Sequence, residues 1–369
     1  MDFDRREHPV TSAVFFSATY REARQRFLDA ARTAGAKVQS HAHPLKGAEG
    51  EEIGTDTALL GRADADRLFI VSSGTHGPEG FSGSACQLAL LGDELAKRAT
   101  DRGIALLLVH AVNPFGFSHL KRTNEDNIDL NRNFNDFAAP YPDNPVYEEI
   151  HELLVPKAWP PSHANETQLA AAMARLAGQR NPGVSSGQAR HPDGLFYCGT
   201  APAWSNRTIR GIVRTHGAGR HHIAWIDVHT GLGPYGHGEK IFGRHSPETT
   251  ARARRWWGQD LIVSTATESV SPRTIGHITG CAPEECPDAA ITPSTLEYGT
   301  VPNPVVRRAL RGEAWLAGHP DAPPALVREI RKAVRDAFYV DADDWKGMIL
   351  GQFRAFALQT INGLGAEKH

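Results

Sequence analysis

The apolar positions of this chain fall into short solid runs separated by stretches with helical spacing. Residues 19–34 (TYREARQRFLDAARTA) carry apolar side chains at helical intervals and stop at Gly35, before an extended run, AKVQSHAH. RLFIVSSGTHG at 67–77 is a compact apolar run that dissolves into Ser and Gly, the pattern of a buried strand ending in a loop. The spacing then predicts a helix from about Gly80 to Ala99 and a second buried strand in IALLLVHAVNP at 104–114, ended by Asn-Pro. Strand, helix, strand in this order predicts a right-handed parallel crossover, with the loop after Gly74 at the carboxyl edge of the sheet, where ligand sites gather. HIAWIDVHTG at 222–231 is a third such run, and it too ends in His, Thr and Gly. Farther on lie an amphipathic region near 247–261, extended runs near 261–266 and 291–298, and two helices near 323–338 and 343–361.

Between these elements, residues 138–220 are rich in Pro, Asn, Gly and His, with one helical patch near 166–178; they read as an elaboration or lid within a single domain spanning 1–369. The hydrophobic share of 40% and charged share of 22% belong to a folded globular chain and argue against disorder. Forty basic and forty-two acidic side chains give a formal net charge of -2, so no global field draws nucleic acid or an anionic membrane. No run approaches the roughly 18 apolar residues of a membrane span, and the N-terminus, MDFDRREHPVTSAVFF, lacks the build of a leader; the expected location is cytoplasmic. Cys86, Cys198, Cys281 and Cys286 are too few and too scattered for a disulfide framework, and the Cys281–Cys286 pair has no second pair with which to hold a metal.

The chemistry gathers at the ends of the apolar runs. In T-H-G-P-E-G, His76 and Glu79 flank a Gly-Pro turn just past the first strand, so both side chains can point at one atom. Zinc accepts imidazole nitrogen and carboxylate oxygen, and a catalytic site takes three protein ligands with a position left for water. His229, at the end of another apolar strand, is the candidate for the third ligand. The segment HLKRTNEDNIDLNRNF at 119–134 adds Arg122, Asp129, Asn131 and Arg132; an Asn-Arg pair offers planar donors suited to a carboxylate, and a further Arg can stabilise an oxyanion.

Taken in order, His76-x-x-Glu79, D-L-N-R-N-F at 129–134, His229, and Glu297 in T-L-E-Y-G-T resemble the zinc carboxypeptidases of the M14 class, and within it the bacterial M14-like proteins of the DUF2817 group. The resemblance covers residues from about 65 to 300, and D-L-N-R-N-F is its most specific part. It implies an α/β fold of three layers, α/β/α, around a mixed, mostly parallel twisted sheet. It further implies Zn²⁺ on His76, Glu79 and His229, with Glu297 as general base and acid and Arg122 stabilising the tetrahedral oxyanion. Asn131 and Arg132 match the pair that grips the substrate carboxylate, and Asp129 matches the carboxylate that orients the first zinc histidine.

The expected reaction is hydrolysis of an amide bond next to a free carboxylate, in a small peptide or an N-acyl amino acid. A deacylase of the aspartoacylase or succinylglutamate-desuccinylase kind shares the same metal set, and Arg273 could supply the extra cation that an acidic small substrate needs. A non-catalytic zinc protein on the same scaffold is the third reading, disfavoured by Glu297. The tyrosine that closes over substrate in classical carboxypeptidases has two candidates, Tyr235 and Tyr298, with Tyr235 preferred. Asp227, two residues before His229 on the same strand face, is either an orienting carboxylate or a structural one. His41, His43, His221 and His222 read as solvated, and Ser72 and Ser73 lack a nucleophile elbow.

Overall fold

The computed structural model describes residues 12–177, 183–243, 245–263, 269 and 274–367. Eight strands form one sheet: β1 (Lys37–Lys46), β2 (Glu52–Leu60), β3 (Arg67–Ser73), β4 (Ile104–His110), β5 (His222–Tyr235), β6 (Gly238–Phe242), β7 (Ile262–Val263) and β8 (Ala290–Gly299). Their order across the sheet is β1-β2-β4-β3-β5-β8-β6-β7. The central strands β4, β3, β5 and β8 are mutually parallel, as are β6 and β7, while β1 with β2, β2 with β4 and β6 with β8 run antiparallel. The fold is thus α/β with a mixed, mostly parallel sheet.

Strand period sorts the side chains onto two faces. Phe69, Val71, Leu106, Leu108, Ile226 and Val228 join one apolar cluster with the helices Tyr20–Thr33, Gly80–Gly92 and Asp343–Ala366. Leu68, Ile70, Leu107, Ile223 and Trp225 join another, packed by Ile209, Ile212 and Val213 of the helix Trp204–Gly217. Helices therefore cover both faces, as a sheet buried on two sides requires. On β5 the second face continues from Trp225 to Asp227 and His229; on β8, Leu296 and Tyr298 belong to the first face, which leaves Glu297 on the second.

The opening helix starts at the Thr19 cap, whose hydroxyl accepts from the Glu22 N–H at 3.2 Å, and stops where Gly35 takes a φ of 75°. The helix expected over 80–99 is two helices, Gly80–Gly92 and Glu94–Asp101, because Asp93 is extended between them (φ −92°, ψ 164°) and its carboxylate is held by Arg354 Nε at 2.6 Å. The run expected at 261–266 continues past Val263 outside the described residues. Within 138–220, helix Trp204–Gly217 belongs to the layer on the sheet. Upstream, the helices Pro145–Leu154 and His163–Ala177 pack a cluster of their own through Tyr147, Ile150, Leu154, Leu169 and Leu195. No helix among the described residues is long and apolar enough to cross a membrane.

Candidate metal centre

The chain leaves β3 for β4 on one side and returns to β5 on the other, so the carboxyl ends of β3 and β5 flank a crevice at the point where strand order reverses. Three local devices put functional side chains there. Past β3, Gly74 takes a φ of 66°, and Gly77 lies so close to the next turn that a Cβ would sit 2.1 Å from the Gly116 carbonyl carbon. Gly77–Glu79 then forms a single 3₁₀ turn that brings His76 and Glu79 to one side. Past β4, Asp129 caps the 3₁₀ turn Leu130–Arg132 by accepting from the Asn131 N–H at 3.0 Å. In the sheet, His229 of β5 and Glu297 of β8 are register partners on one face.

His76, Glu79 and His229 are all buried and offer donor atoms within 4.8 Å of one another. His76 Nδ1 lies 2.9 Å from Glu79 Oε1, and His229 Nδ1 lies 2.7 Å from Glu79 Oε2. The far nitrogen of each ring meets a buried carboxylate: His76 Nε2 lies 3.1 Å from Asp129 Oδ1, and His229 Nε2 lies 2.5 Å from Asp227 Oδ2. A carboxylate on Nε2 favours the tautomer with the proton there, which leaves each Nδ1 a lone pair facing Glu79. Two ring nitrogens and a carboxylate converging in a buried space can be joined by protons on the rings or by a bound cation. The residues therefore fit a divalent metal, and the donor set of two nitrogens and one carboxylate suits zinc.

The surrounding charges call for positive charge at the same place, whether from a bound cation or from a proton on the rings. Burial works against ionising Glu79, yet His76 and His229 hold its carboxyl well below the usual range. Burial likewise opposes a charged His229, but Asp227 and Glu79 hold it well above the ordinary imidazole value. Asp129 stays ionised despite its burial because Arg132 and Arg122 are beside it. Glu297 differs: burial and the neighbouring Glu79 push its carboxyl up to about 8, and Oε1 accepts from the Leu232 N–H at 3.0 Å.

The remaining predicted residues divide between the crevice and its frame. Arg122 reaches in, donating from Nη1 to Glu79 Oε1 at 3.0 Å and from Nη2 to Asp129 Oδ2 at 3.3 Å. Asn131 lies against the centre with Nδ2 3.3 Å from His229 Nε2, while its Oδ1 accepts from the Ile278 N–H. Arg132 is buried, and its guanidinium donates to the Ser185 and Asn131 carbonyls. Tyr235 is exposed at the far end of β5 and donates to Asp344 Oδ1 at 3.0 Å. Tyr298 is fully buried on the opposite face, its hydroxyl given to the Ile349 carbonyl, so it cannot close over the crevice. Arg273 lies outside the described residues. The four cysteines are free and buried, Ser72 donates to Asp227 Oδ1, and His222 pairs with Arg67 at the opposite end of the sheet. His43 is buried, not solvated, and lies 3.4 Å from Glu125.

Three residues beyond the sequence reading also shape this centre. Thr75 and Ser72 both donate to Asp227, so that carboxylate is held from two sides while it holds His229. His277 is half-buried with its ring 6.3 Å from that of His229, and desolvation together with His229 pushes it down to about 3, a neutral imidazole. Glu239 of β6 is the cross-strand partner of Glu297. A Gly-His step shortly before the β8 run is the only signal that pointed to His277.

Several solved metallo-carboxypeptidases share a partial structural likeness. The chain superposes on one from Pseudomonas aeruginosa, determined in complex with (2-guanidinoethylmercapto)succinic acid, with a TM-score of 0.42 and 14% identity, covering 88% of this chain and 69% of the other. Against bovine thrombin-activatable fibrinolysis inhibitor, in complex with tick carboxypeptidase inhibitor, the TM-score is 0.42 and the identity 14%, covering 86% and 96%. A metallo-carboxypeptidase from Burkholderia cenocepacia gives 0.42 and 14%, covering 80% and 66%. No curated protein matches the sequence. The model of one sequence family, described as a protein of unknown function (DUF2817), matches residues 16–352, and with that match over nearly its whole length the chain belongs to the DUF2817 family.

Proposed function

We propose that this protein is a zinc-dependent hydrolase that cleaves an amide bond next to a free carboxylate, in a small peptide or an N-acyl amino acid. The observation that carries the reading is the pair of imidazoles whose Nδ1 atoms both face Glu79 while Asp129 and Asp227 hold their Nε2 atoms. In this reading His76, Glu79 and His229 would hold the ion, which would supply Lewis-acid activation of a water and of the scissile carbonyl.

The chain's own groups supply the rest. Glu297 is the base: it takes a proton from the attacking water and returns it to the leaving amine. Its register opposite His229 supports that role. Arg122, whose guanidinium reaches Glu79 and Asp129, stabilises negative charge developing on the carbonyl oxygen. Asp129 and Asp227 keep the two rings from rotating and so keep their lone pairs on the ion. Asn131 and Arg132 bind the substrate carboxylate in this proposal, and the geometry adds a condition. Arg132 must exchange its bonds to the Ser185 carbonyl for bonds to the substrate, so carboxylate binding is coupled to the 183–187 segment. Tyr235 closes the outer end of the crevice.

The test is incubation of zinc-loaded protein with a mixed panel of peptides and N-acyl amino acids, with products read by mass. Release of a C-terminal residue is the expected result. Release of a small acid from an acyl amino acid would assign the deacylase reaction to the same centre. Absence of any product across the panel, with zinc bound, would contradict hydrolysis.

A further inference from the structure

Away from the strand ends, a second cluster joins the helix Pro145–Leu154 to the turn that follows it in space. His151, His191 and Asp193 offer donor atoms that lie within 4.8 Å of one another. Their frame is rigid. The Gln188 side chain accepts from the His191 N–H and donates to the His191 and Leu195 carbonyls, and the Gly194 N–H closes the turn on the His191 carbonyl at 2.9 Å. Opposite, Tyr147 on the helix is buried and accepts from the Leu195 N–H at 2.7 Å, which locks helix to turn.

Within that frame the two imidazoles stack at 3.6 Å between ring centres with 20° between their planes, so one ring must turn out of the stack for a single ion to lie in both ring planes. His191 Nε2 lies 3.0 Å from Glu148 Oε2, so an acidic partner orients that ring from behind, as outer carboxylates do for metal-binding histidines. His151 Nδ1 is shielded from solvent and has no hydrogen-bond partner among the described residues. A shielded ring nitrogen without a partner, next to a second imidazole and a carboxylate, is satisfied by a cation when its proton sits on the other nitrogen of the ring.

We propose that His151, His191 and Asp193 form a second divalent-cation site, separate from the strand-end centre. Two imidazoles and one carboxylate select a borderline ion such as Zn²⁺ over Ca²⁺ or Mg²⁺, which prefer oxygen donors. Asp193 is exposed and the two histidines are half-buried, so the ion reaches this site directly from solvent and exchanges with it. The same turn carries Gly194, Leu195 and Phe196, which line a narrow cavity with Arg122 and Asp129. An ion here fastens the wall beside Arg122 to the helix; it takes no part in bond cleavage. This inference stands independently of the proposed hydrolase activity.

Equilibrium dialysis of the metal-free full-length chain against buffered Zn²⁺, with zinc counted per chain by mass spectrometry, tests it. Wild type is expected to take up two ions and His191→Ala one, with part of the zinc-induced rise in unfolding temperature lost. Asp193→Ala, a change at an exposed position, is expected to shift the second uptake to higher zinc and keeps the test alive if His191→Ala does not fold. If the strand-end centre holds no metal, wild type takes up one ion and His191→Ala none, which still supports the second site. Uptake curves for Asp193→Ala and for any folded His191→Ala that coincide with wild type would overturn it.

Discussion

The two histidine clusters use similar residues in different settings. At the strand ends, His76 and His229 are enclosed, and each ring is fixed by a buried carboxylate on its far nitrogen. At the periphery, His151 and His191 lean on each other, and only His191 has an acidic partner. In the first set His229 is fixed by sheet register, which cannot slip without moving every side chain to the other face, and His76 and Glu79 by a tight turn at the end of β3. The second is built by one helix face and one turn. Rigid anchoring of ligands in a dry crevice is what a metal used for chemistry requires, whereas a partly exposed cluster suits an ion that exchanges and braces.

Substitutions at the strand ends should show that difference most strongly. Glu297→Gln is expected to lower kcat by about 10²–10⁴-fold while zinc content stays at the wild-type level; retained turnover would remove Glu297 as the base. Arg122→Ala should lower kcat by roughly 10²–10³-fold with a smaller change in KM, in line with loss of an oxyanion donor; a change confined to KM would make Arg122 a binding residue only. Asp227→Asn keeps the shape but weakens the acceptor that His229 Nε2 faces and can set an N–H donor against it, and zinc affinity should fall by about 10–100-fold, measured by competition with a chromophoric chelator. An unchanged affinity would mean that Asp227 serves the core alone.

Smaller effects lie at the substrate side. Arg132→Ala should raise KM for a substrate with a free carboxylate by roughly 10–100-fold, about 1.5–3 kcal/mol for charge-assisted hydrogen bonds, with no penalty on the corresponding amide. An equal loss on both substrates, together with a lower unfolding temperature, would reduce Arg132 to a brace for Ser185. Tyr235→Phe is expected to cost about 1 kcal/mol or less, a few-fold in KM, because its hydroxyl already has Asp344 as partner. No change in KM would exclude it from the crevice.

Much of this site was legible in the sequence because its residues follow solid apolar runs. RLFIVSS and HIAWIDVH announce buried parallel strands, and the polar residues that end them are the ones brought to the crevice. Asp129 was legible through its place in D-L-N-R-N-F, the segment that carries the family resemblance, and Asp227 through its position two residues before His229 on one strand face, which left an orienting and a structural role open. β2 and β6 were not legible: β2 mixes Gly54, Thr55, Asp56 and Thr57, all buried, into an antiparallel strand, and β6 has only five residues. Asp56 can be buried there because Arg24, from the opening helix, donates to it from Nε at 2.7 Å, a partnership no local pattern reveals. His277 and Glu239 were missed for the same reason, since their neighbours His229 and Glu297 come from other strands. The role of His151 and His191 depends on a helix meeting a turn forty residues later, and neither residue stands at the end of an apolar run.

The most direct test of the central claim is anomalous diffraction at the zinc edge from crystals of the full-length protein grown with zinc. The account predicts a strong peak between the Nδ1 atoms of His76 and His229 and the carboxylate of Glu79. Zinc-containing crystals with ordered His76, Glu79 and His229 side chains and no peak among them would contradict it.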